Sequence, residues 1–324
     1  MQRVICSEFG DPPVLRVLEE PTPRPRPGEV LIEVAAVGVS FVDGLIVRGA
    51  YQVRPPLPFT PGSCVAGRVV AVGEGVESSR VGTEVATVLS EFGGYASHIA
   101  VRADVVVPLP AEVTADIAAA AMESYLTLVF ATTHRVTIEP GEQVVVLGAG
   151  GGIGQAAVDV ARSHGARVIA VASTEDKRTA AKAAGAEVTL GYDNLKDAIR
   201  ATTDGGADVI IDPVGGPAAE SALRALATGG RFCVLGFASG DIPRLPANIV
   251  LLRNRSVVGV DWGDWSREVG GARGNAALLT DVLARIARGE LHPGRPSTAP
   301  LADAGRVLQL FAERRATGKY VLHP

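Results

Sequence analysis

Hydrophobic and polar positions divide the chain into two textures. Up to residue 113 the apolar residues come in short runs broken by glycine and proline: 29–37 (EVLIEVAAV), 64–72 (CVAGRVVAV), 81–88, and 95–101 behind a turn at 91–94. Short strands at such spacing predict a compact, barrel-like β unit. The stretch 21–27 (PTPRPRP) is a stiff extended connector with no helix in it. From Thr114 the pattern changes. An alanine-rich helix is predicted over 116–131, followed by strands at 144–147, 167–172, 187–190, 208–212, 231–235 and 256–260. Helices are predicted between them, reaching His164 and then over 177–184, 195–202 and 217–226. Alternation of this kind predicts an α/β fold, a doubly wound parallel sheet covered by helices, with ligands at the carboxyl ends of its strands. Two later helices (275–287, 302–314) precede a last strand at 320–322 that is expected to return to the first unit.

The candidate chemistry centres on 144–154, VVVLGAGGGIG. Val144, Val145, Val146 and Leu147 suit a strand buried on both faces. Five glycines in seven residues then allow a sharp turn, and Ile153 starts an apolar helical pattern through Ala157, Val160 and Ala161. Strand, glycine turn and helix form the unit that holds a pyrophosphate on backbone N–H groups. The fingerprint G-x-G-x-x-G is imperfect, reading Ala149-x-Gly151-x-x-Gly154 with Gly148 and Gly150 flanking the alanine. An ordinary strand-to-helix turn is the bland reading; the second strand at 167–172 favours a dinucleotide site. That strand ends Ala172-Ser173-Thr174, with no carboxylate at its tip to accept from a ribose 2′-OH. Lys177 and Arg178 follow, so a hydroxyl and a lysine are placed to hold a 2′-phosphate, although Glu175 and Asp176 oppose them. NADPH is therefore expected over NADH.

Composition narrows the class. Of 324 residues, 47% are hydrophobic and 20% charged, enough for a substantial core. The net charge is −4 and no basic stretch is interleaved with aromatics, so no nucleic-acid partner is expected. The start MQRVICSEFG lacks the apolar core of a signal peptide, and no apolar run is long enough to span a bilayer, so a cytoplasmic protein without membrane partners is expected. Cys6, Cys64 and Cys233 are scattered, which suits neither a disulfide framework nor a metal knuckle.

Several motifs in order and spacing carry a family resemblance: Gly38-Val39-Ser40-Phe41-Val42-Asp43, Pro61-Gly62-Ser63, Gly93-Gly94-Tyr95-Ala96, 148–154, Gly185-Ala186, 206–208 through Gly215-Gly216, and Gly318-Lys319. Over nearly its whole length the chain resembles the zinc-independent quinone oxidoreductase branch (NADPH:quinone reductase, zeta-crystallin-like) of the medium-chain dehydrogenase/reductase superfamily. The resemblance implies a GroES-like catalytic domain (1–121), a Rossmann NADPH-binding domain (122–260) and a return to the catalytic domain (261–324). It also implies a homodimer through the Rossmann sheet edge. Cofactor contacts are implied for Thr127, Ala149, Gly150, Gly151, Gly152, Ile153, Ser173 and Thr174, and further for Lys177, Tyr192, Gly236, Phe237, Val260 and Lys319. The zinc-dependent relatives carry His-Glu after Pro-Gly and a cysteine in the earlier segment. Here Ser63-Cys64 and Ser40 stand in those places, and no zinc is expected.

Without a Lewis acid, reduction of an already electrophilic acceptor is the expected chemistry, with a quinone or an α,β-unsaturated carbonyl as the small-molecule substrate. Ser40, Asp43 and Tyr51 are the candidate catalytic residues, Asp43 alternatively capping a local helix. Family members commonly carry asparagine at Ser40 and tyrosine at Leu45, a departure that bears on acceptor choice. The competing readings are an enoyl reductase on acyl thioesters, a zinc-type alcohol dehydrogenase, and a weakly catalytic cofactor- or RNA-binding relative.

Overall fold

A computed structural model describes residues 1–11 and 13–324. The chain divides into two units: one holds residues 1–123, 266–289 and 294–324, the other 124–265 and 290–293. No helix among the described residues is long and apolar enough to cross a membrane.

In the first unit β1 (Gln2–Glu8) and β2 (Val14–Glu19) form an antiparallel pair. A larger sheet grows on β3 (Glu29–Val39), whose 11 residues put Val30, Ile32, Val34 and Val37 into the core. After it come α1 (Phe41–Val47), β4 (Cys64–Val72), β5 (Glu84–Val88), β6 (His98–Arg102) and β7 (Val106–Pro108). Strand β4 pairs with β3 and β5, and β7 with β5, all antiparallel. The helix α2 (Ala115–Phe130) then carries the chain into the second unit.

The second unit alternates as its hydrophobic pattern predicts. It runs β8 (Gln143–Leu147), α3 (Gly152–Ser163), β9 (Arg167–Val171), α4 (Glu175–Ala183), β10 (Val188–Leu190) and α5 (Leu195–Thr202). It continues through β11 (Ala207–Asp212), α6 (Gly216–Arg224), β12 (Leu226–Val234), α7 (Ala247–Leu251), β13 (Ser256–Gly259) and α8 (Trp262–Trp265). The sheet is parallel throughout, in the order β10-β9-β8-β11-β12-β13. Residues 144–147 are fully buried, as a central strand covered on both faces requires. Strand order reverses between β8 and β11, so the crevice at their carboxyl ends is the topological switch point where such sheets bind ligands.

The chain closes the first unit with α9 (Gly271–Ala287), β14 (Ser297–Pro300), α10 (Ala304–Ala312) and β15 (Tyr320–His323). Strand β15 pairs antiparallel with β3. Between α9 and β14, residues 290–293 belong to the second unit. They are fastened to α3 through Asp159, a carboxylate only 1% exposed. It accepts from His292 N–H (2.5 Å), Arg162 Nη2 (2.7 Å) and the Tyr125 hydroxyl (3.0 Å). A buried carboxylate is tolerated because those donors replace its water.

Candidate functional site

The switch point is built from backbone first. Gly148 leaves β8 with φ +61, a left-handed turn. A Cβ at Gly154 would stand 2.2 Å from the Gly148 carbonyl oxygen and 2.6 Å from Ala149 Cα, so only glycine lets α3 start this close to β8. At Gly150 a Cβ would meet Lys177 Cβ at 2.4 Å, whereas beside Gly151 the space is nearly open. The cap of α3 is Gly151, and no side chain caps the first turn. N–H groups at the start of an uncapped helix carry the positive end of its dipole, and they await an acceptor.

Neighbouring strand ends complete this edge. After β10, the Tyr192 hydroxyl accepts from Gly148 N–H at 2.9 Å. Burial, the Gly148 bond notwithstanding, pushes the Tyr192 pKa up with help from Asp212, so the phenol keeps its proton. After β11, Asp212 Oδ1 accepts from Val214 N–H (2.8 Å) and Gly215 N–H (2.9 Å). That loop lies against the glycine turn: a Cβ on Gly148 would be 2.7 Å from Val214 Cγ2. After β12, Gly236 and Phe237 follow Leu235, and Phe237 remains 40% exposed. Val260, beyond β13, is buried and donates its N–H to Val234.

Beyond β9, Thr174 caps α4, its Oγ1 accepting from Lys177 N–H at 3.3 Å. Ser173 and Thr174 are exposed. Arg178 is spent: its Nη2 holds Glu175 at 2.8 Å and its Nη1 donates to Ala172 carbonyl. Glu175 is thereby neutralised by its neighbour. Lys177, half-buried with its stem across Gly150, makes no ion pair among the described residues. The arrangement offers one uncompensated ammonium beside one uncapped helix start, which fits a dinucleotide carrying an extra phosphate.

Not every residue implicated by sequence shares this edge. Ala149 turns inward, fully buried, with its N–H donated to Val171. Thr127 is half-buried on α2. Lys319 belongs to the other unit, where Nζ pairs with Glu123 at 2.9 Å. Ser40 and Asp43 form the capping box of α1: Ser40 Oγ accepts from Asp43 N–H (3.0 Å), and Asp43 Oδ2 accepts from Ser40 N–H (2.8 Å). The fully buried Tyr95 adds its hydroxyl to the same Oδ2 at 3.3 Å. Burial pushes Asp43 up to about 6, with Glu123 adding repulsion against these three bonds. Tyr51 lies half-buried beyond α1.

At the positions where the resemblance puts zinc ligands in the zinc-dependent relatives, this chain carries Ser40, Ser63 and Cys64. The Ser40 hydroxyl accepts within the capping box. Burial, with the charge of Glu123, pushes the Cys64 thiol up to about 12. Among the described residues no three His, Cys, Asp or Glu groups come together as a metal set.

Comparison with known proteins agrees with this architecture. Residues 26–111 match the alcohol dehydrogenase GroES-like domain and 152–273 the zinc-binding dehydrogenase family. The chain is 35% identical over 323 residues to quinone oxidoreductase-like protein 2 of Rattus norvegicus, covering 98% of this chain and 91% of that protein. It is 32% identical to the quinone oxidoreductase of Sus scrofa, covering 99% and 97%. Among solved structures, mycobacterial Rv1454c complexed with NADPH superposes with TM-score 0.89 at 30% identity, covering both chains fully. Escherichia coli quinone oxidoreductase complexed with NADPH gives TM-score 0.89 at 27% identity, again over both whole chains. The GroES-like sheet, the Rossmann-type sheet and these relatives together establish that the chain belongs to the quinone oxidoreductase family of the medium-chain dehydrogenase/reductase superfamily.

Proposed function

We propose that this chain is a zinc-independent, NADPH-dependent oxidoreductase that delivers a hydride to a quinone or an α,β-unsaturated carbonyl. One observation carries the reading: the uncapped, glycine-lined start of α3 with the unpaired Lys177 packed across Gly150. The helix start suits a pyrophosphate, and the ammonium suits a 2′-phosphate. That two related structures were determined with NADPH supports the same cofactor here. When bound, the reduced nicotinamide supplies the hydride.

The chain's own residues bind and orient. Tyr192 and the Asp212 loop fix the glycine turn from two sides, so the N–H groups of α3 are set before any ligand arrives. In the other unit, the Ser40–Asp43 box and Tyr95 make a closed, rigid corner at the start of α1. Because Asp43 is committed to those bonds, we assign it and Ser40 to positioning α1 and the segment beyond it that carries Tyr51. A quinone needs little acid catalysis, since its reduced ring stabilises the product charge. An enone takes its α-carbon proton from water. Neither requires a metal. The exposed Ser256, Val257 and Gly259 of edge strand β13 support a homodimer paired along that edge.

Calorimetric titration with NADPH and NADH, then stopped-flow nicotinamide oxidation against a panel of quinones and enones, tests the proposal. Tighter NADPH binding and turnover of either acceptor class are expected. Failure to bind either dinucleotide sinks the whole reading, while cofactor binding with stoichiometric zinc and alcohol oxidation overturns the acceptor half.

A further inference from the structure

The glycine turn uses the carboxyl ends of the parallel strands. The opposite ends of β11, β12 and β13 carry a second cluster that nicotinamide chemistry does not need. A cavity of about 330 Å³ lies there, lined by five cations, Lys196, Arg200, Arg224, Arg253 and Arg255, with Asp197 the one acid. The chain path explains the gathering. Arg200 sits on α5, which leads to β11; Arg224 closes α6, which leads to β12; Arg253 and Arg255 immediately precede β13.

The positive charge is unbalanced. Arg224 pairs with Glu220 (2.7 Å) and Lys196 with Asp197 (3.1 Å). Arg200, Arg253 and Arg255 make no ion pair with a carboxylate among the described residues. Arg255, only 8% exposed, donates to the carbonyls of Leu226 (2.5 Å), Arg224 (3.3 Å) and Ile249 (3.4 Å). Arg200 Nη1 reaches that same Arg224 oxygen at 3.5 Å, so two guanidiniums converge on one carbonyl. Burial, then the charges of Arg253, Arg200 and Arg224, push the Arg255 pKa down. A chain of net charge −4 does not produce this by composition.

Backbone carbonyls at the end of α6, at the start of β12 and within α7 account for Arg255, which cross-links these segments. They do not account for Arg253. It is exposed, and it stands on a left-handed backbone (φ 72) followed by Asn254 in the same region (φ 53). Two consecutive non-glycine residues there are costly. Ile249 and Leu252 supply an apolar wall, and Leu252 is 58% exposed.

We propose that this cavity is a second anion site, which takes the phosphate groups of a small phosphorylated molecule on Arg200 and Arg253, with an apolar part of that ligand against Leu252. Guanidinium forks match phosphate oxygens in pairs. A cavity of this size suits one small molecule rather than a nucleic-acid strand.

Inorganic pyrophosphate, titrated calorimetrically into the full-length protein with NADPH saturating and ionic strength held constant, tests the site. One site per chain is expected, weakened about tenfold or more in the Arg200→Gln/Arg253→Gln double variant, with NADPH affinity unchanged within about twofold. Arg255 is left in place because it cross-links α6, α7 and β12. Should the double variant melt early, Arg253→Gln alone, whose side chain is exposed, is expected to weaken pyrophosphate about threefold or more. Absence of binding, equal binding by the variants, or heat that disappears when NADPH is present overturns the proposal. A single-stranded oligonucleotide binding more tightly than pyrophosphate overturns the small-molecule assignment. If NADPH itself fails to bind, the proposed function falls, and the arginine variants still decide this site.

Discussion

Lys177 has two separable jobs, and Lys177→Met separates them. The stem of Lys177 packs on Gly150 so closely that a Cβ there would come within 2.4 Å, and methionine keeps most of that contact. The ammonium is what a 2′-phosphate would meet. A hydrogen bond to a charged group contributes about 1.5–3 kcal/mol. Lys177 is only half-buried, so solvent screening leaves roughly 1–1.5 kcal/mol. That predicts a roughly 5- to 15-fold rise in the NADPH Kd. NADH, which has a hydroxyl in place of the phosphate, is expected to bind the variant as it binds the wild type, and the NADPH effect is expected to shrink as salt rises. Calorimetry with both nucleotides at two salt concentrations reads this directly. Lys177→Ala, which removes the stem as well, is expected to weaken both. Equal losses for NADPH and NADH in Lys177→Met would refute the reasoning, because the side chain would then act through packing alone.

Three further perturbations probe the same two corners. Gly154→Ala places a methyl against backbone on two sides, 2.2 and 2.6 Å away, which no rotamer relieves; a stability loss of about 1–3 kcal/mol and loss of dinucleotide binding are expected from melting and calorimetry. Tyr192→Phe removes the acceptor of Gly148 N–H, at a cost of about 1–3 kcal/mol, and is expected to raise the Kd for both nucleotides alike, which direct titration measures. Asp43 in the folded chain titrates near 6 rather than 3.8, so its ionisation opposes folding. Stability is fullest below the unfolded value and falls as pH rises through about 6, by roughly 3 kcal/mol from this group. The groups facing it are Ser40, Tyr95 and the charge of Glu123. Relative to wild type, Asp43→Asn is therefore expected to gain stability between pH 4.5 and 7.5 in urea unfolding; an identical difference at both pH values would remove the claim.

What could be read in advance was what is local. Four apolar residues, a glycine turn and an apolar helical stripe specify β8, the turn and α3 within a dozen positions, and the alternation from 144 onward gives the parallel sheet. Strand β12 was harder. Its pattern points to 231–235, yet pairing begins at Leu226, because Thr228-Gly229-Gly230 looks like a turn and only the neighbouring strand shows otherwise. The short helix α1 was signalled only by the alternative reading of Asp43 as a cap, and the Ser40–Asp43 capping box bears that alternative out. Glu175 counted against a 2′-phosphate in the sequence; folding gives it to Arg178. Asp159 and Arg255 escaped notice because His292 and the Leu226 carbonyl come from distant segments, which no spacing rule reports.

Asp159 governs how this protein can be cut apart. A dinucleotide-binding fragment ending at Trp265 would omit residues 290–293 and deprive a carboxylate 1% exposed of its His292 donor. Such a fragment would leave Asp159 only Arg162 and Tyr125 as protein donors, in the middle of α3, the helix whose first turn is proposed to hold the dinucleotide. Residues 290–293 are thus a removable rivet: any minimal version must graft them back or replace Asp159 with a residue that asks for fewer donors.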